Sequence, residues 1–259
     1  MTALLHVEGL TRRYGGLVAV SDLHLDIDRG EILGLIGPNG AGKSTAIHLM
    51  SGVVRPSAGK VVFEGEDVTG LAPHRLVQKG LVRTHQATTV YPGHTVRENA
   101  LRGAFIGTFP GVLHAFFDTP RARRMRLEGE EKVDRLLDLL GLTQVADSIA
   151  DSLPYGFQKT LGMVIALAAD PTLLMLDEPV AGLSAEEADH VREAIIRIRA
   201  QGISVLVVDH NMRFISGLCD RVLVLHHGQE LAIGRPQDVL ANQDVINAYL
   251  GHGHGAAQH

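Results

Sequence analysis

The amino-acid sequence predicts an α/β fold whose core is a parallel β-sheet, and three observations lead to this prediction. Apolar strands alternate with helical segments after Asp170, and a glycine-rich turn joins a strand to a helix between Ile36 and Lys43. From about Thr95 to Asp170, helical periodicity replaces this alternation. Near-continuous apolar strands that alternate with helices are typical of a parallel sheet covered on both faces. We therefore expect a helical subdomain inserted into an α/β domain.

Composition and charge exclude several classes of protein. The chain has 259 residues and a formal net charge of -5, so it has no overall positive field to hold a nucleic acid. Its single cysteine, Cys219, excludes an internal disulfide. The first residues lack a basic segment followed by an apolar one, and no run approaches the roughly 18 apolar residues of a membrane span. We expect a cytosolic chain whose link to any membrane goes through a partner.

The first third of the chain is predicted to be rich in β-strands. The pattern from Leu4 to Ile36 is strand-like, and a helix follows from Lys43 to Ser51, where Gly52 ends it. The segment KVVFEGEDV indicates a hairpin that turns at Gly65, PHRLVQKG indicates a short helix and GLVRTHQ indicates a strand. Strand, glycine loop and helix therefore follow one another early in the fold.

The rest of the chain is predicted to be helical at first and then alternating. One apolar stripe indicates a helix that stops at Gly141, and it consists of Val133, Leu136, Leu137 and Leu140. The strand TLLMLD, a helix from Ala185 to Ala200, the strand SVLVVD, a helix from Met212 and the hairpin RVLVLHHGQELAIG then follow. These later strands are expected to complete the parallel sheet.

A phosphate-binding loop is predicted in GPNGAGKST, which fits the pattern G-x-x-x-x-G-K-[ST] between an apolar strand and a helix. Glycines let the backbone wrap phosphates, Lys43 is expected to reach the β and γ phosphates, and Ser44 is expected to bind magnesium. The glycine loop consists of Gly37, Pro38, Asn39, Gly40, Ala41, Gly42, Lys43, Ser44 and Thr45.

Two adjacent carboxylates are predicted at the carboxyl end of a neighbouring strand. The segment LLMLDEP places Asp177 and Glu178 there, beside the glycine loop of a parallel sheet. We expect Asp177 to hold magnesium through water and Glu178 to orient or deprotonate the attacking water. The sequence therefore predicts phosphoryl chemistry governed by placement and charge.

These motifs, in this order, resemble the nucleotide-binding subunit of an ABC (ATP-binding cassette) transporter over essentially the whole chain. The resemblance implies a P-loop NTPase of the ABC type, in which the parallel-sheet core carries an antiparallel β subdomain and an inserted helical subdomain. It implies one ATPase domain over residues 1–250, a helical subdomain at about 88–170 and a flexible tail at 251–259. ATP and Mg²⁺ are the cofactors that it implies.

The resemblance also implies roles for residues outside the two motifs. Tyr14 matches an aromatic residue that stacks on adenine, and Gln86 matches a glutamine that contacts magnesium and water. The segment Ala181 to Ser184 resembles a loop that crosses the dimer, and His210 matches a histidine that bonds the γ phosphate. The alternative role for Tyr14 is simple packing. The alternative for His210 is a buried histidine whose hydrogen bonds are satisfied within the protein.

The segment LPYGFQ stands where the family has L-S-G-G-Q, a motif that opens a helix and clasps the γ phosphate of the opposite subunit. It keeps the leucine, the second glycine and a glutamine, but Pro154 replaces the serine. Because proline suits a helix start, we expect the helix end to be retained. Because the serine hydroxyl is lost, we expect a weakened clasp on the phosphate. The nucleotide contacts implied here are Tyr155, Gly156, Phe157 and Gln158, and Phe157 is also predicted on the buried face of the helix with Leu161, Val164, Ile165 and Ala168.

Within the family, the chain resembles the ATP-binding proteins of branched-chain amino acid importers and their amide and urea relatives. Leu-x-Tyr-Gly, GLVRTHQ, PVAGLS and VINAYLG carry this resemblance, whereas His85 and Pro154 depart from it. The segment 107–126 is similar to an insertion of that subgroup, with packing, membrane docking or a solvated arginine face as alternatives. For the histidines of the tail, His252, His254 and His259, metal binding is one hypothesis and a compositional tract without a metal is the alternative.

The resemblance implies import energised at the cytoplasmic face of the inner membrane. The implied partners are a second ATPase subunit, identical or a sister, two integral membrane permease subunits and, indirectly, an extracytoplasmic solute-binding protein. Alternatives are the ATPase of a lipid or lipopolysaccharide exporter, a soluble non-transport ABC switch protein, and a nucleotide sensor that barely hydrolyses ATP. No nucleic acid partner is expected.

Overall fold

The computed structural model describes residues 3–84, 90–104 and 120–250. Two β-sheets form its framework. An antiparallel sheet contains β1 (Leu5–Tyr14), β2 (Leu17–Ile27), β4 (Ala58–Phe63) and β5 (Glu66–Asp67) in the order β2-β1-β4-β5. A second sheet contains β3 (Ile32–Ile36), β6 (Leu81–Arg83), β7 (Leu173–Asp177), β8 (Ser204–Val208), β9 (Arg221–His226) and β10 (Gln229–Gly234).

The second sheet has the strand order β10-β9-β3-β8-β7-β6, and all of its pairings are parallel except that of β10 with β9. Every residue of β3, β7 and β8 is buried, as expected for strands covered on both faces. Parallel neighbours place their carboxyl ends at one edge. Chemistry-bearing residues that follow these strands therefore meet there.

The helices lie around the sheets and dominate the middle of the chain. Their bounds are α1 (Lys43–Met50), α2 (Pro73–Gln78), α3 (Val96–Ala104), α4 (Pro120–Leu139), α5 (Tyr155–Leu167), α6 (Ala185–Ala200), α7 (Met212–Ser216), α8 (Pro236–Leu240) and α9 (Gln243–Leu250). Two 3-10 turns, Thr143–Val145 and Ala150–Ser152, join α4 to α5. Among the helices described, none is long and apolar enough to span a membrane.

Strand β3 separates two hydrophobic cores by the alternation of its side chains. Ile32 and Ile36 belong to the core that α3, α4, α5 and α6 share, whereas Leu33 and Leu35 belong to the core beneath the antiparallel sheet and α1. The glycine loop leaves β3 between these two cores, so its base is fixed from both sides. This architecture confirms the predicted fold class: a parallel-sheet core, an antiparallel β subdomain and an inserted helical subdomain.

Some local predictions differ from the structure. The strand predicted in GLVRTHQ ends at Arg83, whereas α7 begins at Met212 as predicted and spans five residues. The short helices α8 and α9 were not predicted, because each is too short to show an apolar period. Several predicted features lie outside the described residues: His85, Gln86, the tail 251–259 and the part of segment 107–126 before residue 120.

Candidate functional site

The glycine loop is pressed against neighbouring backbone at two of its glycines. A Cβ atom on Gly37 would lie 2.2 Å from the carbonyl oxygen of Leu225, and one on Gly42 would lie 2.5 Å from that of Ala19. Gly42 also has a φ of 101°, which side-chain-bearing residues rarely adopt. The loop therefore takes this path only because glycine stands at both positions.

The opposite side of the glycine loop suits an anion. Around Gly40, the described part of the chain leaves open space, and Asn39 is exposed. Helix α1 begins after Gly42 without a side-chain cap, so its first amides and its positive end point at this space. Such a helix start is a ready site for phosphate.

Lys43 is folded back onto the glycine loop. Its Nζ atom donates to the carbonyl oxygens of Gly37 at 2.7 Å and Pro38 at 3.0 Å. Burial lowers the pKa of Lys43, and the carboxylates of Glu178, Asp209 and Asp177 oppose this shift in that order. The ammonium group thus lies in a field of three carboxylates. In the same helix turn, Ser44 is exposed and Thr45 is half-buried.

Asp177 ends strand β7 and Glu178 follows it, beside the glycine loop. Asp177 is buried and accepts a hydrogen bond at 2.7 Å from the guanidinium of Arg83. Glu178 has a φ of 48°, a left-handed value that is costly outside glycine, and its amide donates to the carbonyl oxygen of Val208 at 2.8 Å. The Nζ atom of Lys159 lies 3.4 Å from the Glu178 carbonyl oxygen. Strained backbone held by such bonds is common at functional sites.

His210 lies next to Glu178. Its Nδ1 atom is 4.0 Å from Glu178 Oε1 and 3.9 Å from Asp209 Oδ1, and the imidazole is 59% exposed. A half-exposed ring is not the buried histidine that was the alternative prediction. The structure therefore brings two of the predicted catalytic side chains, Glu178 and His210, to one point at the sheet edge.

Asp209 is a residue that the sequence prediction missed. It is fully buried at the end of β8, and its Oδ1 atom accepts from the amides of His210 at 2.7 Å and Asn211 at 2.9 Å. Its Oδ2 atom accepts from the amide of Val180 at 3.4 Å. Asp209 thus joins the turn that carries His210 to the turn that follows Glu178. Asp209 directly follows the apolar run SVLVV, and Asp177 was identified by the same pattern of an acidic residue directly after an apolar strand.

Tyr14 is a predicted site residue on the antiparallel sheet. Tyr14 ends β1, is 44% exposed, and carries the guanidinium of Arg12 at 4.4 Å from its ring centroid. One face of the ring is thus covered by a cation. Gln86 is among the residues that the structure does not describe.

The LPYGFQ segment (Leu153–Gln158) begins helix α5 differently from the prediction. Pro154 is the N-cap residue, with φ -51° and ψ 148°, and the helix starts at Tyr155. Phe157 is 42% exposed, so its predicted place on the buried face is wrong, although Leu161, Val164 and Ala168 are buried. The helix turns Phe157 toward solvent because the buried face begins at Gly156 and Lys159.

Gln158 is the sixth residue of LPYGFQ, and Phe157 is the fifth. The Nε2 atom of Gln158 donates to the carbonyl oxygen of Leu153 at 2.8 Å, so this side chain ties the helix to the preceding loop. The amide of Gly156 donates to Oε1 of Glu187 at 3.3 Å. In this structure the helix start is thus capped by a carboxylate of its own chain.

The site fits ATP and magnesium by its donor types. Magnesium is commonly held by one or two carboxylates and a hydroxyl together with the substrate phosphates, and Ser44 and Asp177 offer such oxygens. Across the described ranges there is no cluster of three or more His, Cys, Asp or Glu side chains that would hold a metal alone. A metal at this edge would be shared between these oxygens and the phosphate oxygens of a bound nucleotide.

The fold and the glycine loop define a P-loop nucleotide-binding protein of the cassette type. Residues 20–181 match the ABC transporter family, and residues 229–255 match the family described as branched-chain amino acid ATP-binding cassette transporter. The chain belongs to the ABC transporter family and is an ATP-binding subunit of that family.

Named relatives and solved structures agree with this family. The chain is 36% identical over 249 residues to the high-affinity branched-chain amino acid transport ATP-binding proteins BraF of Pseudomonas aeruginosa and LivG of Escherichia coli K12, covering 96% of this chain and 98% of each relative. It is 33% identical over 250 residues to the lipopolysaccharide export system ATP-binding protein LptB of Haemophilus influenzae, again covering 96% and 98%. The crystal structure of the ADP conformation of MJ1267, an ATP-binding cassette of an ABC transporter, matches with a TM-score of 0.85, 29% identity and coverage of 97% and 100%.

Proposed function

We propose that this chain is the Mg²⁺-dependent ATPase of an importer for branched-chain amino acids or related small amides. The observation that carries the ATPase activity is the meeting of Lys43, Glu178 and His210 around one sheet edge beside the glycine loop. In this proposal residues 1–250 form a single ATPase domain, with the helical subdomain at about 88–170 and a flexible tail at 251–259.

The proposed chemistry assigns one task to each side chain. Lys43 leaves the carbonyl oxygens of the glycine loop and binds the β and γ phosphates. Glu178 orients or deprotonates the attacking water. His210, whose Nδ1 atom lies 4.0 Å from Oε1 of Glu178, bonds the γ phosphate. Bound magnesium would neutralise phosphate charge, with Ser44, Asp177 and Gln86 as its protein ligands.

Two subunits are proposed to pair head to tail around two ATP molecules. Each nucleotide would lie between the glycine loop of one subunit and the LPYGFQ segment of the other, where Tyr155, Gly156, Phe157 and Gln158 would contact it. The second subunit is an identical copy or a sister ATPase. Two permease subunits and an extracytoplasmic solute-binding protein complete the proposed importer, with this chain at the cytoplasmic face of the inner membrane.

The proposed substrate class rests on similarity. BraF and LivG, at 36% identity, are named for branched-chain amino acid transport, and residues 229–255 match a family described as branched-chain amino acid ATP-binding cassette transporter. Lipopolysaccharide export is the second candidate, because LptB is 33% identical over the same share of the chain.

Uptake by cells tests this function. Host cells that lack the protein would be complemented with the wild type, with Lys43→Ala, or with Lys60→Ala as an exposed-lysine control, and supplied with labelled leucine, isoleucine, valine, urea and short amides. We expect the wild type and Lys60→Ala to restore uptake of branched-chain amino acids and Lys43→Ala to fail. If only urea or amide uptake is restored, the substrate is urea or an amide and not a branched-chain amino acid. If uptake of none of these solutes is restored, the result favours a role in export.

A further inference from the structure

Arg83 and Asp177 form a nearly buried ion pair at the candidate magnesium site. The Nη2 atom of Arg83 donates to Oδ2 of Asp177 at 2.7 Å, and the two side chains are only 9% and 6% exposed. Arg83 ends strand β6, where it stands opposite Met175 in the parallel ladder with β7, so its side chain reaches along β7 to the end of that strand. One of the two carboxylate oxygens of Asp177 is thereby fixed by a charged donor.

The same guanidinium also contacts the helix that follows the glycine loop. The Nη1 atom of Arg83 lies 3.2 Å from Oγ of Ser51, and that hydroxyl donates to the carbonyl oxygen of Ile47 in α1. Ser51 is the C-cap of this helix. Arg83 thus joins the far end of the phosphate-binding helix to Asp177, although these residues come from three separate segments of the chain.

Stability alone does not account for this pair. A buried ion pair often adds no more stability than well-packed apolar residues of similar volume would. The Nε atom of Arg83 is buried and has no hydrogen-bond partner in the described part of the chain. A charged donor that is itself held by a second contact, here to Ser51, fixes the orientation of one carboxylate, and a metal site needs this around a ligand that acts through water.

We propose that Arg83 is a positioning residue for magnesium: it fixes Asp177 against α1, so that the carboxylate oxygen that Arg83 leaves unoccupied faces the metal side of the site. This inference rests on the proposed assignment of Asp177 to magnesium. Arg83 does not touch the nucleotide in this scheme and acts only through Asp177.

Nucleotide binding with and without metal tests the proposal. Affinity for a fluorescent ATP analogue would be measured in Mg²⁺ and in EDTA for the wild type, Arg83→Met and Arg83→Lys, with Arg75→Met as an exposed-arginine control. We expect Arg83→Met to weaken Mg²⁺-dependent binding roughly 10- to 100-fold, as loss of such outer partners does, and to leave binding in EDTA unchanged. Arg83→Lys should recover part of the loss, because lysine keeps the charge but not the guanidinium.

An equal loss of affinity in Mg²⁺ and in EDTA would overturn the proposal, because it would mark a merely structural role. Tighter Mg²⁺-dependent binding would also overturn it, since Arg83 would then act as a competitor of the cation. Thermal unfolding would check that each variant folds. If Arg83→Met does not fold, Arg83→Gln replaces it in the comparison of ATP-analogue affinity in Mg²⁺ and in EDTA.

Asp177→Asn separates this inference from the function on which it rests. If Asp177→Asn leaves Mg²⁺-dependent binding intact, the assignment of Asp177 to magnesium fails. If Asp177→Asn weakens that binding and Arg83→Met does not, the role of Arg83 alone fails. Because Arg83 is proposed to act through Asp177, the double variant should bind no more weakly than Asp177→Asn.

Discussion

The backbone amide of Gly156 donates to the carboxylate of Glu187 at 3.3 Å. The other carboxylate oxygen of Glu187 accepts from the amide of Ser184 at 2.9 Å and completes the capping box of α6. The backbone amide of Ser184 is the main cause that lowers the pKa of Glu187, and the Gly156 amide contributes further. One side chain therefore connects the start of α5 to the loop 181–184, the two segments predicted to meet the opposite subunit.

Gly156→Ala should reduce ATP turnover roughly 10- to 100-fold, on the scale of one lost hydrogen bond to a charged group. The added methyl group would lie 3.2 Å from Cγ and Oε1 of Glu187, so the carboxylate must move away from the amide. Steady-state ATPase assays would measure the loss. Gly162→Ala is the control, because open space surrounds that glycine in the same helix. Equal turnover in both variants would show that the Gly156–Glu187 contact has no part in hydrolysis.

Pro154→Ser should strengthen the pairing of two subunits around ATP. Serine at this N-cap adds a hydroxyl, and its bond to phosphate is worth about 1.5–3 kcal/mol, or more than tenfold in affinity. The free energy of unfolding should change by less than about 1 kcal/mol, because a new cap offsets the lost rigidity of proline. The ATP concentration at half-maximal dimer formation, measured in a Glu178→Gln background, reports the effect. A higher or unchanged concentration would contradict the weakened clasp inferred for Pro154.

Cys219 should resist thiol reagents in the folded protein. Burial, with help from Asp220, raises the pKa of this thiol to about 12. At pH 8, modification by an aromatic disulfide reagent should be on the order of a thousandfold slower than for an exposed thiol. The unfolded thiol has a pKa of 9.0, so the unfolded chain loses its proton first and stability falls as pH rises from 9 toward 12. Rapid labelling at pH 8, at the rate seen in denaturant, would contradict this environment.

The fold and the main motifs were predictable because local patterns specify them. The order of strand, glycine loop and helix identifies the phosphate site, since glycine is required at Gly37 and Gly42 by backbone contacts. The apolar strand before Asp177 likewise predicted its place at the sheet edge. Chemistry that depends on one element and its turn was therefore readable from the sequence.

Relationships between distant segments were not predictable. Arg83 and Asp177 lie 94 positions apart and meet only because β6 and β7 are neighbours in the sheet. The exposure of Phe157 depends on which face of α5 packs against the core, and that face begins at Gly156 and Lys159. Pairing and helix phase are set by tertiary packing, which no local pattern encodes.

The ATP-dependent dimer tests the central claim most directly. Glu178→Gln removes the proposed base, so hydrolysis should fall roughly 10²- to 10⁴-fold while nucleotide still binds. Light scattering in Mg²⁺ and ATP should then detect a stable dimer, alone or mixed with a sister subunit, and adding Lys43→Ala to the same chain should abolish it. If Glu178→Gln stays monomeric in Mg²⁺ and ATP, both alone and mixed with a sister subunit, the proposed pairing of two subunits around ATP is contradicted.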